Sequence, residues 1–121
     1  MVQTATAELP SVDVPQFQIE ELPNGLTLLV ARHTEQPVVF FSLLVRAGAL
    51  DEPEEMKGLA SIVADMLQEG TEKYDSSALA RALDELGGSI GVSAGRETTV
   101  LSGQTLSRNA DRALELLAEM A

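Results

Sequence analysis

The chain has no cysteine and no tryptophan, and only one histidine and one tyrosine. Without cysteine there are neither disulfides nor thiolate metal sites, and the redox compartment stays open. Aromatic residues make up 3% of the sequence, so a core must be built from Leu, Val, Ile and Ala. Basic residues are also scarce, 8 against 19 acidic ones, for a formal net charge of -11. Such a surface repels phosphate backbones and anionic lipid, which disfavours nucleic-acid and membrane-surface roles. It reads as a solubilising surface. No apolar run approaches the roughly 20 residues that span a bilayer. Met1 to Phe17 lacks the basic start and apolar stretch of a signal peptide, so a cytoplasmic site is the default expectation. A removed targeting segment would instead allow a periplasmic or organellar one.

What remains is 121 residues, 45% of them apolar, a length that suits one domain with a modest core. Residues 1–16 hold Pro10, Pro15 and small polar residues without periodicity, and read as an extended lead-in. From Phe17 to the end the pattern is that of a folded α+β unit. Phe17, Ile19 and Leu22 mark a strand, Pro23-Asn24-Gly25 a turn, and Leu26 to Arg32 the returning strand of a hairpin. Val38 to Ala47, nearly free of polar residues, predicts a strand buried on both faces at the centre of a sheet.

An acidic loop, Asp51 to Glu55, then leads into a helix expected over Glu54 to Glu69, with Met56, Leu59, Ile62, Val63, Met66 and Leu67 inward. A second helix starts at an Asp75 or Ser76 cap, buries Leu79, Ala82, Leu83 and Leu86, and closes at Gly87-Gly88. Ser89 to Ser93 and Thr98 to Leu106 read as two further strands. Ser107 or Asn109 caps a last helix with Ala110, Ala113, Leu114, Leu117 and Met120 inward. That helix runs to Ala121 without a cap, the pattern expected of a truncated chain. The order β-β-β-α-α-β-β-α groups the strands, which favours a mainly antiparallel sheet with helices on one face.

Several of these segments, taken in order, resemble the N-terminal half-domain of the insulinase/pitrilysin family of metallopeptidases, the inverted zincins. They are Leu22-Pro23-Asn24-Gly25-Leu26, Arg46-Ala47-Gly48-Ala49 with Asp51-Glu52, Gly58-Leu59-Ala60 with Met66-Leu67, Gly70-Thr71, Leu86-Gly87-Gly88 and Arg96-Glu97-Thr98-Thr99. Each fragment alone is weak, but their sequence over residues 22–120 is specific. The family binds zinc through His-x-x-Glu-His on a helix, where positions four apart share a face and the Glu serves as general base. The resemblance places the first His at Ser61, the Glu at Ala64 and the second His at Asp65. On the following strand the family's Asn-Ala-x-Thr falls on Gly91, Val92, Ser93 and Ala94. The third zinc ligand, a downstream Glu, falls past Ala121. The resemblance therefore implies a chain with no catalytic residue, no bound metal and no cofactor, a non-catalytic relative of zinc enzymes.

Other candidate chemistry is thinner. His33 ends a strand and reads as a solvated surface residue, since one His cannot build a zinc site. Asp65 and Glu69 lie one helical turn apart, but no loop with fixed cation-ligand spacing accompanies them. Gly87-Gly88 lacks the Lys of a phosphate-binding loop and is better read as a helix stop. Met56, Met66 and Met120 fall on apolar helical faces, as core residues do.

The resemblance implies a subunit that pairs, as a heterodimer, with a catalytically intact homologue and helps hold unfolded peptide. In the family, peptide adds as a strand to a sheet edge. Its counterpart here is Ser89, Ile90, Gly91, Val92 and Ser93. A second reading is a structural assembly component, like core-type members of respiratory complexes. A third is an enzyme with relocated chemistry. The isolated chain is expected to self-associate through Val38 to Val45.

Overall fold

A computed structural model describes residues 16–121. All but the last residue of the expected lead-in, 1–16, lies outside them. The chain divides into two compact units, one ending at Gln36 and the other running from Pro37 to Ala121.

In the first unit, β1 (Phe17–Glu21) and β2 (Thr27–Ala31) pair antiparallel, Phe17 opposite Ala31 and Glu21 opposite Thr27. The expected turn joins them. The Leu22 N–H donates to the Leu26 carbonyl at 2.8 Å, and the Asn24 side chain accepts from the Leu26 N–H at 3.1 Å. Asn at this position thus supplies a local acceptor for a backbone group that the turn would otherwise leave to water.

The second unit is a three-stranded antiparallel sheet, order β3-β5-β4, with helices against it. Its strands are β3 (Val38–Val45), β4 (Ser89–Ala94) and β5 (Thr99–Leu106). Its helices are α1 (Leu59–Met66), α2 (Ser76–Glu85) and α3 (Ala110–Met120). The register places Phe41, Gly103 and Ile90 side by side, and next to them Leu43, Leu101 and Val92. Because side chains alternate across a strand, these residues share one face. There they meet Leu79 and Leu86 around α2 and Ala113, Leu116, Leu117 and Met120 of α3. Leu79, Leu101 and Leu116 are fully buried, each contributing about 1.5–3 kcal/mol relative to an exposed leucine. This is the expected α+β layer packing, an antiparallel sheet with helices on one face.

The local chemistry explains most boundaries. The Asp75 carboxylate accepts from the Ala78 N–H at 2.8 Å and starts α2. A β-carbon at Gly88 would collide with the Gln104 carbonyl, so only glycine lets the chain enter β4 this close to β5. The loop before α2 is tied to α3 by the Arg112 guanidinium, which donates to the Tyr74 hydroxyl at 2.6 Å, and by a Lys73–Glu119 ion pair.

Four expectations are corrected. First, β3 is not central within its unit. It is a terminal strand, and Phe40 and Leu44 stay 74% and 61% exposed on the face opposite α2 and α3. A continuous apolar run shows that a strand can be buried on both faces, not that anything covers it. Second, the expected helix from Glu54 to Glu69 is broken. Glu54–Met56 is a separate 3-10 turn, and α1 begins only at Leu59, after Gly58 at φ 97°. Third, Met56, Leu59, Ile62, Val63 and Met66 are exposed, and the buried residue of α1 is Ala64. The two methionines read as core at 56 and 66 are therefore surface residues, whereas Met120 is buried. Fourth, Asn109 precedes α3 but makes no side-chain cap. Its amide donates instead to the Leu86 carbonyl at 2.9 Å. In α3 itself Leu114 points outward and Leu116 takes its place in the core.

Candidate functional site

The Arg46 to Glu52 segment holds α1 in place. After β3, the Ala49 and Leu50 N–H groups donate to the Gly95 and Arg96 carbonyls at 3.0 and 2.9 Å, which fastens the segment to the β4–β5 turn. Asp51 closes its own turn by accepting from the Gly48 N–H at 2.9 Å. Glu52 then spans six and eight residues of sequence. One carboxylate oxygen accepts from the Gly58 N–H and the other from the Ala60 N–H, both at 2.8 Å. These groups are unpaired donors at the start of a helix, where a negative charge is also favoured by the helix dipole. The same two bonds hold the Glu52 carboxyl below the usual glutamate range, Gly58 contributing most. The sequence predicts only that the acidic loop suits a helix dipole. The specific capping by Glu52 is not legible there, because no local window links it to Gly58 and Ala60.

On α1, Ser61 and Asp65 are one turn apart on an exposed face. Ala64 lies on the buried side at 2% exposure, and α1 packs next to β4. The three residues expected at the motif positions thus present one hydroxyl and one carboxylate outward and a methyl group inward. Zinc sites take three or four Cys, His, Asp or Glu ligands. Among the described residues no three or more such side chains are grouped to hold a metal ion. Glu69 accepts from the Ser76 hydroxyl at 3.2 Å. His33 belongs to the first unit, where its imidazole stands 4.0 Å from Glu35.

Ser89, Ile90, Gly91, Val92 and Ser93 all lie on β4, which pairs with β5 on one side and is a terminal strand of its sheet. The face of β4 turned away from α2 and α3 carries Ser89, Gly91 and Ser93. Beside it a shallow depression extends over Ser102, Gln104 and Phe40. The structure therefore brings the motif helix and the candidate strand side by side. A side chain not singled out from sequence, Gln68, bridges them. Its amide donates to the Ala64 carbonyl at 3.4 Å and to the Val92 carbonyl at 3.5 Å. No helix among the described residues is long and apolar enough to cross a membrane.

The chain is similar to known proteins. An uncharacterized zinc protease of Rickettsia felis is 32% identical over 104 residues, covering 86% of this chain and 25% of that protein. Cytochrome b-c1 complex subunit 1 of Bos taurus is 28% identical over 117 residues, covering 97% of this chain and 24% of that one. Among solved structures, a peptidase M16 inactive domain from Pseudomonas fluorescens superposes with a TM-score of 0.79 at 28% identity. That match covers 87% of this chain and 26% of the other. The chain thus spans about a quarter of the length of these relatives. The profile of the insulinase family, peptidase family M16, matches residues 28–121. The chain belongs to the insulinase family of peptidases.

Proposed function

We propose that this chain is part of a non-catalytic, peptidase-like subunit that pairs with an active zinc peptidase homologue and helps bind unfolded peptide. What carries this reading is α1, a helix held by Glu52 and seated against β4, on which the sequence resemblance aligns Ser61, Ala64 and Asp65 with the family's ligand and base positions. A hydroxyl and one carboxylate do not fit zinc, and a methyl group cannot take a proton from water. The terminal strand β4 retains what strand addition requires, a run of backbone donors and acceptors on its open side. The described residues from 17 onward would form the N-terminal portion of that larger peptidase-like subunit. Affinity purification of the full-length protein from its own cells tests the reading. A homologue with an intact His-x-x-Glu-His motif should co-purify, and cleavage by the complex should vanish when that partner's motif is mutated. Stoichiometric zinc that stays on the purified protein through chelator washing would refute it.

A second reading is a structural assembly component without a proteolytic role. It is supported by the likeness to a cytochrome b-c1 complex subunit. A stable complex that cleaves no peptide, even an unfolded one, would favour this reading over the first.

A further inference from the structure

The open edge of β4 has a definite pattern of free backbone groups. The Gly95 N–H donates to the Thr98 carbonyl at 2.7 Å, so these two residues form a hydrogen-bonded pair at the hairpin end. In an antiparallel ladder bonded and non-bonded pairs alternate. Following the register back from the turn, Ser93 opposite Val100 and Gly91 opposite Ser102 bond to β5. Ala94, Val92 and Ile90 turn their N–H and C=O groups away from it. An added strand would use these three residues. The middle one, Val92, already has a donor on its carbonyl, the amide of Gln68.

Three features make this donor removable. Its bond to Val92 is long, at 3.5 Å. Gln68 is exposed, so its amide can pass to water without crossing the core. Position 91 is glycine, whose missing β-carbon would stand 3.9 Å from the Gln68 carboxamide oxygen, and no side chain wedges the amide in place. A sheet edge left bare is a template for indiscriminate pairing, and a side chain laid across it suppresses that.

We propose that Gln68 is a displaceable plug on the open edge of β4, which an extended peptide must swing aside to reach Val92, so that residue 68 sets how tightly the edge accepts peptide. This rests on the reading of β4 as a peptide-binding edge. The incoming strand's N–H replaces the Gln68 amide on the Val92 carbonyl. The Val92 N–H gains an acceptor, and Gln68 is released to solvent. The cost of binding is the pair of long bonds from the Gln68 amide to the Val92 and Ala64 carbonyls, which truncation at position 68 removes.

The experiment uses full-length protein, wild type and Gln68→Ala, titrated into a fluorescein-labelled, unstructured short peptide and read by anisotropy. Removing these two long, weak bonds from the unbound state should tighten binding about two- to tenfold. Amide exchange by NMR locates the event, since peptide should slow exchange at Val92 in both proteins. Equal or weaker binding by Gln68→Ala, with wild type binding and Val92 protected, overturns the plug while leaving the peptide-binding reading intact. Binding without protection of Val92 overturns the plug by placing the peptide elsewhere. No binding by either protein refutes the peptide-binding reading, and the plug with it. Thermal melts of both proteins check that the substitution leaves the fold unchanged.

Discussion

Replacing Thr105 by valine keeps the shape of a side chain that is 2% exposed and removes only its hydroxyl. That hydroxyl donates to the Leu86 carbonyl at 3.0 Å, and the Asn109 amide donates to the same oxygen at 2.9 Å. Leu86 follows the last turn of α2, where carbonyls have no partner within the helix, and it is itself 2% exposed. Thr105→Val or Asn109→Ala alone leaves the carbonyl with one donor, and each should cost about 1 kcal/mol, the net value of a hydrogen bond. The double variant leaves a buried carbonyl with neither donor and adds a desolvation penalty of about 1–3 kcal/mol. The pair should therefore cost about 3–5 kcal/mol rather than the additive 2 or so. Urea denaturation followed by circular dichroism measures the cycle. In thermal melts each kcal/mol should appear as a drop of about 4–8 °C in Tm for a unit of this size. Additivity within about 0.5 kcal/mol would refute the reasoning, because it would mean water reaches the Leu86 oxygen once the donors are gone. The outcome bears on the site as well, since Leu86 stands just before the Gly87-Gly88 entrance to β4.

Two other expectations follow from particular contacts. The Glu52 carboxyl is depressed by the Gly58 and Ala60 N–H groups. Its contribution is therefore fully present above the pH of an ordinary glutamate, about 4.3, and is lost as pH falls through its lower folded value. Protection factors against amide exchange at the start of α1, each taken relative to the intrinsic rate at the same pH, should fall on acidification, and Glu52→Gln should lower them at neutral pH and flatten the acid response. Unchanged exchange in that variant would show that α1 is held without Glu52. On β3, terminal in its sheet with Phe40 74% exposed, the chain should self-associate on concentration, and Phe40→Lys should reduce this in light scattering. A clean wild-type monomer at high concentration would count against it.

The sequence made the units of the fold legible where a local rule decides them. Asp75 ahead of an apolar periodicity, Gly87-Gly88 after it and Asn24-Gly25 between strands each act within a few residues of chain. The failures share a cause, dependence on something distant. The periodicity of α1 marks Leu59, Ile62, Val63 and Met66 as one face, but only tertiary packing decides that Ala64 is the residue covered. Leu114 and Leu116 both fit the helical pattern of α3, and the position of the sheet chooses Leu116. The site divides in the same way. Ser61, Ala64 and Asp65 are expected from a family resemblance alone. The contacts of Glu52 and Gln68, which join α1 to its surroundings, are not legible in the sequence, because their partners lie up to 24 residues away.

The attachment of α1 has one more implication. The groups that seat this helix are the Glu52 carboxylate, the Gly58 and Ala60 amides, the Gln68 side chain and the Ala64 methyl. The side chains at 61 and 65 face outward and take no part. A folding requirement therefore constrains position 64 far more than its two neighbours on the motif. A randomised library at 61 and 65 should return well-folded protein for most residue types, whereas one at 64 should return mainly small side chains. The outward pair is thus open ground on which selection can write or erase chemistry without rebuilding the scaffold.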